Sequence, residues 1–230
     1  MKRYSCFIIL GLFSLLVAFG FSSGPSASTL RSFVPLQEHS DSEADLIDAL
    51  DDCIQQRFLD VDKGLGFSRV IRPGSTPHRF KAENAKELTI VEYLTRARLD
   101  VVLYLAGRRI VEAKLNSEDI DSIAGSLIKG PVSITASDKD ITGLPTPKQL
   151  WDRGQEAMHV FQGSRTYDFS LGEWKFIARP VRASDTTCLS CHQRNGTTLF
   201  SMGKIGQESK SLQIGDPLGL LVYGYKKSRE

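Results

Sequence analysis

Two cysteines and a histidine near the carboxyl end of the chain form the pattern with the clearest chemical meaning. Cys188 and Cys191 are separated by two residues, and His192 follows the second cysteine directly. This Cys-x-x-Cys-His spacing is the attachment signature of a c-type haem, in which each thiol adds to one vinyl group of the porphyrin. The adjacent imidazole then becomes the proximal ligand of the iron. The pattern therefore predicts one covalently bound haem c, held by Cys188, Cys191 and His192.

Two other kinds of site use closely spaced cysteines. A structural zinc ion normally takes four ligands and often a second cysteine pair, and the chain has only four cysteines, of which no others are so spaced. A thioredoxin-like dithiol is expected beside a βαβ pattern, which the sequence lacks. A zinc-binding exported module and a redox dithiol therefore stand as alternatives that the pattern favours less than haem.

The amino terminus has the three-part layout of a secretory signal. Lys2 and Arg3 precede a near-continuous apolar run over residues 6–21, and small residues follow over 22–28. The run is shorter than the ~20 residues of a comfortable membrane span, which favours cleavage over retention as an anchor. Because bacteria attach c-type haem outside the cytoplasm, signal and motif together predict a periplasmic or exported protein. A membrane contact is expected only if the signal segment is not cleaved.

Charge and length limit the remaining possibilities. The chain has 29 Lys and Arg against 27 Asp and Glu, and residues 1–28 contain two of the bases and no acid. The mature protein is therefore nearly neutral, which gives no reason to expect a nucleic-acid partner. Its length fits one domain. We expect a signal over residues 1–28, a linker over 29–41 and one domain over 42–230.

Hydrophobic periodicity and turn residues divide that domain into mixed helices and short strands. Helices are predicted over residues 42–60, 82–99 and 145–161, where apolar residues recur at three- and four-residue steps. In the third, Thr146 is the expected N-cap and Pro147 takes the first helical position. Strands are predicted over residues 67–71, 101–105, 109–115, 132–135, 166–170, 174–181 and 218–226, with the haem motif in a loop between the last two. Tight turns between neighbouring strands predict an α+β fold with an antiparallel sheet.

Three features lie in order near the carboxyl terminus: residues 178–181 at the end of a strand, the Cys-x-x-Cys-His motif, and residues 214–219 before a final apolar strand. In these features the part of the chain over about residues 145–226 resembles the Tll0287-like (DUF3365) family of exported bacterial haem proteins. The resemblance implies a PAS-like antiparallel sheet with helices on one side and a haem held against it. It also implies electron-transfer or sensory roles, in the periplasm or as the sensing part of a signalling protein.

The ligand on the second side of the iron decides between the functions that a c-type haem supports. The candidates are Cys53, His78 and Met158. If Cys6 is removed with the signal and Cys188 and Cys191 hold haem, Cys53 has no cysteine partner within the chain. Its alternatives to ligating the iron are a small buried residue in a helix or one half of an intermolecular disulfide. His78 falls in a loop, where a surface role is usual, and Met158 lies on an apolar helix face, where packing is usual. The family resemblance implies that a helix residue such as Cys53 can ligate the iron.

A bound haem also needs apolar cover and cations or hydrogen-bond donors for its propionates. The aromatic residues near the motif in sequence are Phe169, Trp174, Phe176, Phe200 and Tyr223. Their alternative role is ordinary sheet packing. The nearby arginines are Arg179, Arg182 and Arg194, which are equally common as surface residues.

These observations favour a periplasmic monohaem c-type cytochrome that uses its haem for one-electron transfer or redox sensing. Such a protein requires a redox or signalling partner, whose identity the sequence does not indicate. A haem-based gas or ligand sensor with an exchangeable sixth iron ligand is the main alternative. A peroxidase-type enzyme is less favoured, because no acid–base pair accompanies the motif, and we assign no catalytic residue.

Overall fold

The computed structural model describes residues 42–59, 69–72, 74–75, 77–107, 128–139, 141–194 and 212–228. The chain divides after His39, and all of these residues belong to the unit Ser40–Glu230. Four predicted segments lie outside the described residues: the signal over 1–28, the linker over 29–41, the strand over 109–115 and residues 67–68 of the first strand. Among the residues described, no helix has the length and apolar character needed to cross a membrane.

Helices and strands alternate irregularly along the described part of the chain. In order they are α1 (Glu43–Leu59), α2 (Ala85–Arg96), β1 (Leu99–Gly107), β2 (Lys129–Ser133), α3 (Pro147–Val160), β3 (Tyr167–Leu171), β4 (Trp174–Arg182), α4 (Thr186–Arg194) and β5 (Pro217–Lys227). The three predicted helices are confirmed, and Thr146 caps α3 through a complete capping box with Gln149. The loop predicted for the haem motif is wrong, because the motif lies on a helix, α4. Of the strand predicted over 67–71, the described residues form only an isolated bridge between Ile71 and Phe80.

The five strands form one antiparallel sheet in the order β2-β1-β5-β4-β3. The last strand of the chain is therefore the central one. It pairs with β1 from Leu99–Lys227 through to Gly107–Gly219 without interruption. Its other edge pairs with β4, with one register shift near Val181 and Arg182. The predicted α+β fold with an antiparallel sheet flanked by helices is confirmed.

Helices cover both faces of this sheet. Leu50 and Ile54 of α1, with Leu94 of α2, pack in one core against β1 and β5. Trp151 and Met158 of α3 pack in a second core on the opposite face. The expectation of helices on one side is therefore wrong. The physical reason is that β5 is apolar at successive positions and buried on both faces, as strands covered on both sides are.

A buried ion pair joins α1 to α2. Arg57 Nε donates to Glu87 Oε1 at 2.8 Å, and both side chains are at most 5% exposed. The same guanidinium donates to the backbone carbonyls of Arg69 and Lys81, each at 2.8 Å. A buried charge is tolerated only when its hydrogen bonds are satisfied. This pair therefore fixes where α1, and Cys53 upon it, can lie.

The close approach of β1 and β5 gives a test of the register. A Cβ at Gly219 would lie 2.6 Å from the carbonyl oxygen of Ala106, a backbone atom that cannot move without opening the ladder. We expect Gly219→Ala to cost about 1–3 kcal/mol, or roughly 2–10 °C in Tm, measured by calorimetry. Gly163→Ala is the control, because no atom lies within 4 Å of its Cβ. Equal melting temperatures for the two variants would contradict the register.

Candidate functional site

The predicted haem motif lies in the long connection between the neighbouring strands β4 and β5, residues 183–216, called here the motif segment. Antiparallel neighbours such as β4 and β5 need only a short hairpin, yet residues 183–216 separate them. The root of the motif segment is closed by two backbone hydrogen bonds. Ala183 N donates to the Asp216 carbonyl at 2.9 Å, and Gly215 N donates to the Ala183 carbonyl at 2.8 Å. These bonds hold the two ends of the motif segment, the root, next to the central sheet. Cys188 lies only five residues after Ala183 in this root.

The side chain of Asp185 starts α4. Its Oδ1 accepts hydrogen bonds from Thr187 N at 2.7 Å and Cys188 N at 3.1 Å, which is the usual action of an aspartate N-cap. These backbone hydrogen bonds hold the pKa of Asp185 below its ordinary value. The prediction of a loop overlooked this cap. Asp185, three residues before Cys188, was the available signal.

The helix gives the three motif positions a common face. On an α-helix, residues three and four apart are neighbours, so positions 191 and 192 lie beside position 188. Cys188 is buried and packs with Ala183 and Leu218, and its Sγ lies 3.6 Å from Ser184 Oγ. His192 is half-buried. Cys188 is a free thiol, as thioether formation requires. The residue types and their arrangement thus fit the attachment of a c-type haem.

Cys53 lies on the face of the sheet covered by α1 and α2. Its thiol is 4% exposed and belongs to the core between these helices and the sheet, and burial raises its pKa. Two residues further along α1, Gln55 Nε2 donates to the Pro180 carbonyl at 3.1 Å. Pro180 precedes the root of the motif segment by three residues. The structure therefore brings the Cys53 turn of α1 to the end of the sheet where α4 begins.

Met158 approaches the same end of the sheet from the opposite face. It is 6% exposed and packs in the α3 core. Phe161, three residues later, accepts a hydrogen bond from Arg182 through its backbone carbonyl at 2.8 Å. Met158 and Cys53 thus lie on different faces of the sheet. A single haem can use only one of them.

His78 lies in another part of the fold. Its backbone carbonyl accepts a hydrogen bond from Ser133 N of the edge strand β2. Ser133 pairs with Val102 of β1, and Val102 pairs in turn with Gly224 of β5. Gly224 is five residues, or about 17 Å, along β5 from Gly219 at the motif end. The structure therefore separates the His78 backbone from the root of the motif segment.

The predicted haem-covering residues do not form one group. Phe169 stacks on Phe176 with ring centroids 4.9 Å apart, and Trp174 lies 6.4 Å from Phe176, all on the α3 side. Tyr223 belongs to the opposite core. Arg179 pairs with Asp48 of α1, and Arg182 donates to backbone carbonyls. Phe200 and the Arg194 side chain lie outside the described residues.

A buried carboxyl on α1 was not predicted. Asp51 Oδ1 accepts from the Tyr223 hydroxyl at 2.9 Å, and its Oδ2 accepts from Gln55 Nε2 at 3.2 Å. Burial is the main cause that raises the pKa of Asp51 to about 6, while the Tyr223 and Gln55 hydrogen bonds oppose it. In the sequence Asp51 stands beside Asp52, and such a pair usually marks an exposed helix face.

Two further features lie away from the motif. A cavity of about 470 Å³ is lined by residues including Lys175, Tyr225 and Lys226, at the opposite end of β5 from α4. In the described ranges, no three His, Cys, Asp or Glu side chains come together as a metal site.

Comparisons with family models, with curated proteins and with solved structures give no match. The family resemblance drawn from the sequence therefore stays an expectation.

The pKa of Asp51 predicts a pH-dependent stability. Since its folded-state pKa of about 6 exceeds the ordinary 3.8, the folded state binds this proton more tightly than the unfolded state. The contribution of the protonated Asp51 carboxyl to the free energy of unfolding is complete at low pH, below the unfolded pKa of 3.8, and is lost as the pH rises through about 6. Asp51→Asn removes the charge but keeps an acceptor for Tyr223. We expect it to raise Tm by a few degrees at about pH 8 and by much less at about pH 4, measured by thermal melts. Asp52→Asn, at an exposed neighbour, is the control; a gain of equal size at both pH values would contradict the assignment.

Proposed function

We propose that the protein is an exported monohaem c-type cytochrome that serves in one-electron transfer or redox sensing. The observation that carries the proposal is that positions 188, 191 and 192 lie three and four residues apart on a helix capped by Asp185, with Cys188 buried and His192 half-buried. Cys188 and Cys191 would hold the haem through thioether bonds, and His192 would be its proximal iron ligand. When bound, the haem supplies a one-electron redox centre.

The chain's own contribution is to hold these groups at a fixed place. The Asp185 cap sets the first turn of α4, and the bonds between Ala183, Gly215 and Asp216 set its root. Leu218 and the half-buried Leu189 and Leu212 give Cys188 an apolar setting. Such a setting excludes water from a thioether and from the porphyrin edge that it would carry.

A PAS-like fold is the second part of the proposal. A PAS domain is a five-stranded antiparallel sheet in which the first and last strands lie side by side at the centre. The order β2-β1-β5-β4-β3 supports this assignment. The family resemblance adds support for a periplasmic setting and for a redox or signalling partner protein.

The covalent haem is tested by removing both thiols. The protein is expressed with its signal segment in a bacterium that attaches c-type haem. We expect the native protein to stain for haem on a denaturing gel and to give a c-type pyridine haemochrome spectrum, from the periplasmic fraction. Cys188→Ala with Cys191→Ala should lose both signals, because no other site offers two thioether bonds. Cys53→Ala is the matched control and should keep both. Haem staining that survives the double replacement would show the proposal to be wrong.

The second iron ligand is tested by visible spectra of single variants. Cys53→Ala and Met158→Ala remove the two candidates that the structure brings to the motif end. We expect one of these variants, and only one, to change the low-spin spectrum and to gain rapid carbon monoxide binding, because its iron loses a ligand. His78→Ala serves as the distant control and should behave as the native protein. Rapid carbon monoxide binding by the native protein itself would instead favour a gas or ligand sensor with an exchangeable sixth ligand.

A further inference from the structure

Arg182 joins three separate segments at the motif end of the sheet. Its Nη1 donates to the Gly215 carbonyl at 2.9 Å, and its Nη2 donates to the carbonyls of Phe161 at 2.8 Å and Ser164 at 3.1 Å. Phe161 is the C-cap residue of α3 and Ser164 lies three residues beyond it, whereas Gly215 closes the root of the motif segment. One half-buried guanidinium at the end of β4 thus holds a helix end and a turn together.

The hydrogen bonds of Arg182 are of a kind that holds the end of α3 and the turn at Gly215 in fixed relative positions. The last carbonyls of a helix lack intrahelical partners and carry the negative end of its dipole. The planar Arg182 guanidinium satisfies one of them, that of Phe161, together with the carbonyls of Ser164 and Gly215. A lysine cannot reproduce this rigid fork. Gly215 adopts φ +92°, a left-handed conformation that favours glycine. Its carbonyl accepts from Arg182 while its amide donates to Ala183.

We propose that Arg182 is a positioning residue for the haem: it fixes the root of the segment that bears Cys188, Cys191 and His192 against α3 and the sheet. This inference rests on the proposed function. Cys188 lies six residues after Arg182, and the intervening Ala183 and Asp185 are themselves held by hydrogen bonds. A change at Arg182 should therefore alter the iron environment without removing the haem.

The experiment uses the full chain, loaded with haem, and the variants Arg182→Gln and Arg182→Lys. For both we expect covalent haem at the native level but a shifted reduction potential and an altered low-spin spectrum, with the smaller shift in the lysine variant. The amides of Ala183 and Gly215 should exchange roughly tenfold faster or more in Arg182→Gln, because a charged hydrogen-bond network is lost. Gly215→Ala should shift the potential in the same direction, since it strains the turn that Arg182 holds; no atom lies within 4 Å of the added Cβ.

Arg153→Gln is the matched control. It makes the same change on α3, where Arg153 pairs with Glu156 on the surface, and it should leave potential, spectrum and exchange unchanged. Native spectra and potentials in both Arg182 variants would overturn the inference, even with faster amide exchange, because Arg182 would then act on stability alone. If Arg182→Gln does not accumulate folded, Arg182→Lys and Gly215→Ala decide the question by the same readouts. Failure of the proposed function is distinguishable, because native protein would then lack covalent haem.

Discussion

The fold depends on the insertion of the last strand into the middle of the sheet. β5 pairs with the whole length of β1 on one edge and with β4 on its other edge, so the two parts of the sheet meet through it. Because both of its faces are buried, both must be covered, which accounts for α1 and α2 on one side and α3 on the other. The same constraint acts on the motif segment. Its two ends are the end of β4 and the start of β5, and the ladder between these strands fixes the separation of its ends.

The second consequence of this architecture is that two helices deliver candidate ligands to one end of the sheet. Gln55 holds the Cys53 turn of α1 to Pro180, and Arg182 holds the end of α3, which bears Met158, beside the motif root. The contacts differ in kind. α1 is tied by a neutral amide and by the ion pair of Arg179 with Asp48, whereas α3 is tied by a guanidinium that bonds the backbone carbonyl of its C-cap residue, Phe161. The two faces are therefore joined to the motif segment through different chemistry, and substitutions can address them separately.

Local patterns predicted the elements better than their contacts. Several elements were predictable because apolar periodicity and the Thr146 cap involve residues close together in the sequence. They are the helices near residues 42–60 and 145–161 and the strands near 166–170, 174–181 and 218–226. The motif helix was missed because its segment has little apolar periodicity, although the Asp185 cap, which bonds two backbone amides within three residues, was a local signal for it. Three other features depend on strand order, which local sequence patterns do not contain. They are the helices on both faces of the sheet, the separation of His78 from the motif root, and the contacts of Arg182. Asp51 is buried with a hydrogen bond from Tyr223, which lies far along the chain.

Under the proposed function, the choice between Cys53 and Met158 also sets the chemistry of the iron. A thioether ligand opposite histidine raises the reduction potential, whereas a thiolate donates electron density to the iron. The apolar core around Cys53 raises the pKa of its thiol, so the apoprotein disfavours the thiolate that ligation would need. Coordination to a metal ion removes that proton outright, which would make ligation by Cys53 release a proton and depend on pH. Ligation by Met158 involves no proton. The pH dependence of the potential would therefore identify the face of the sheet that the haem uses, independently of any substitution.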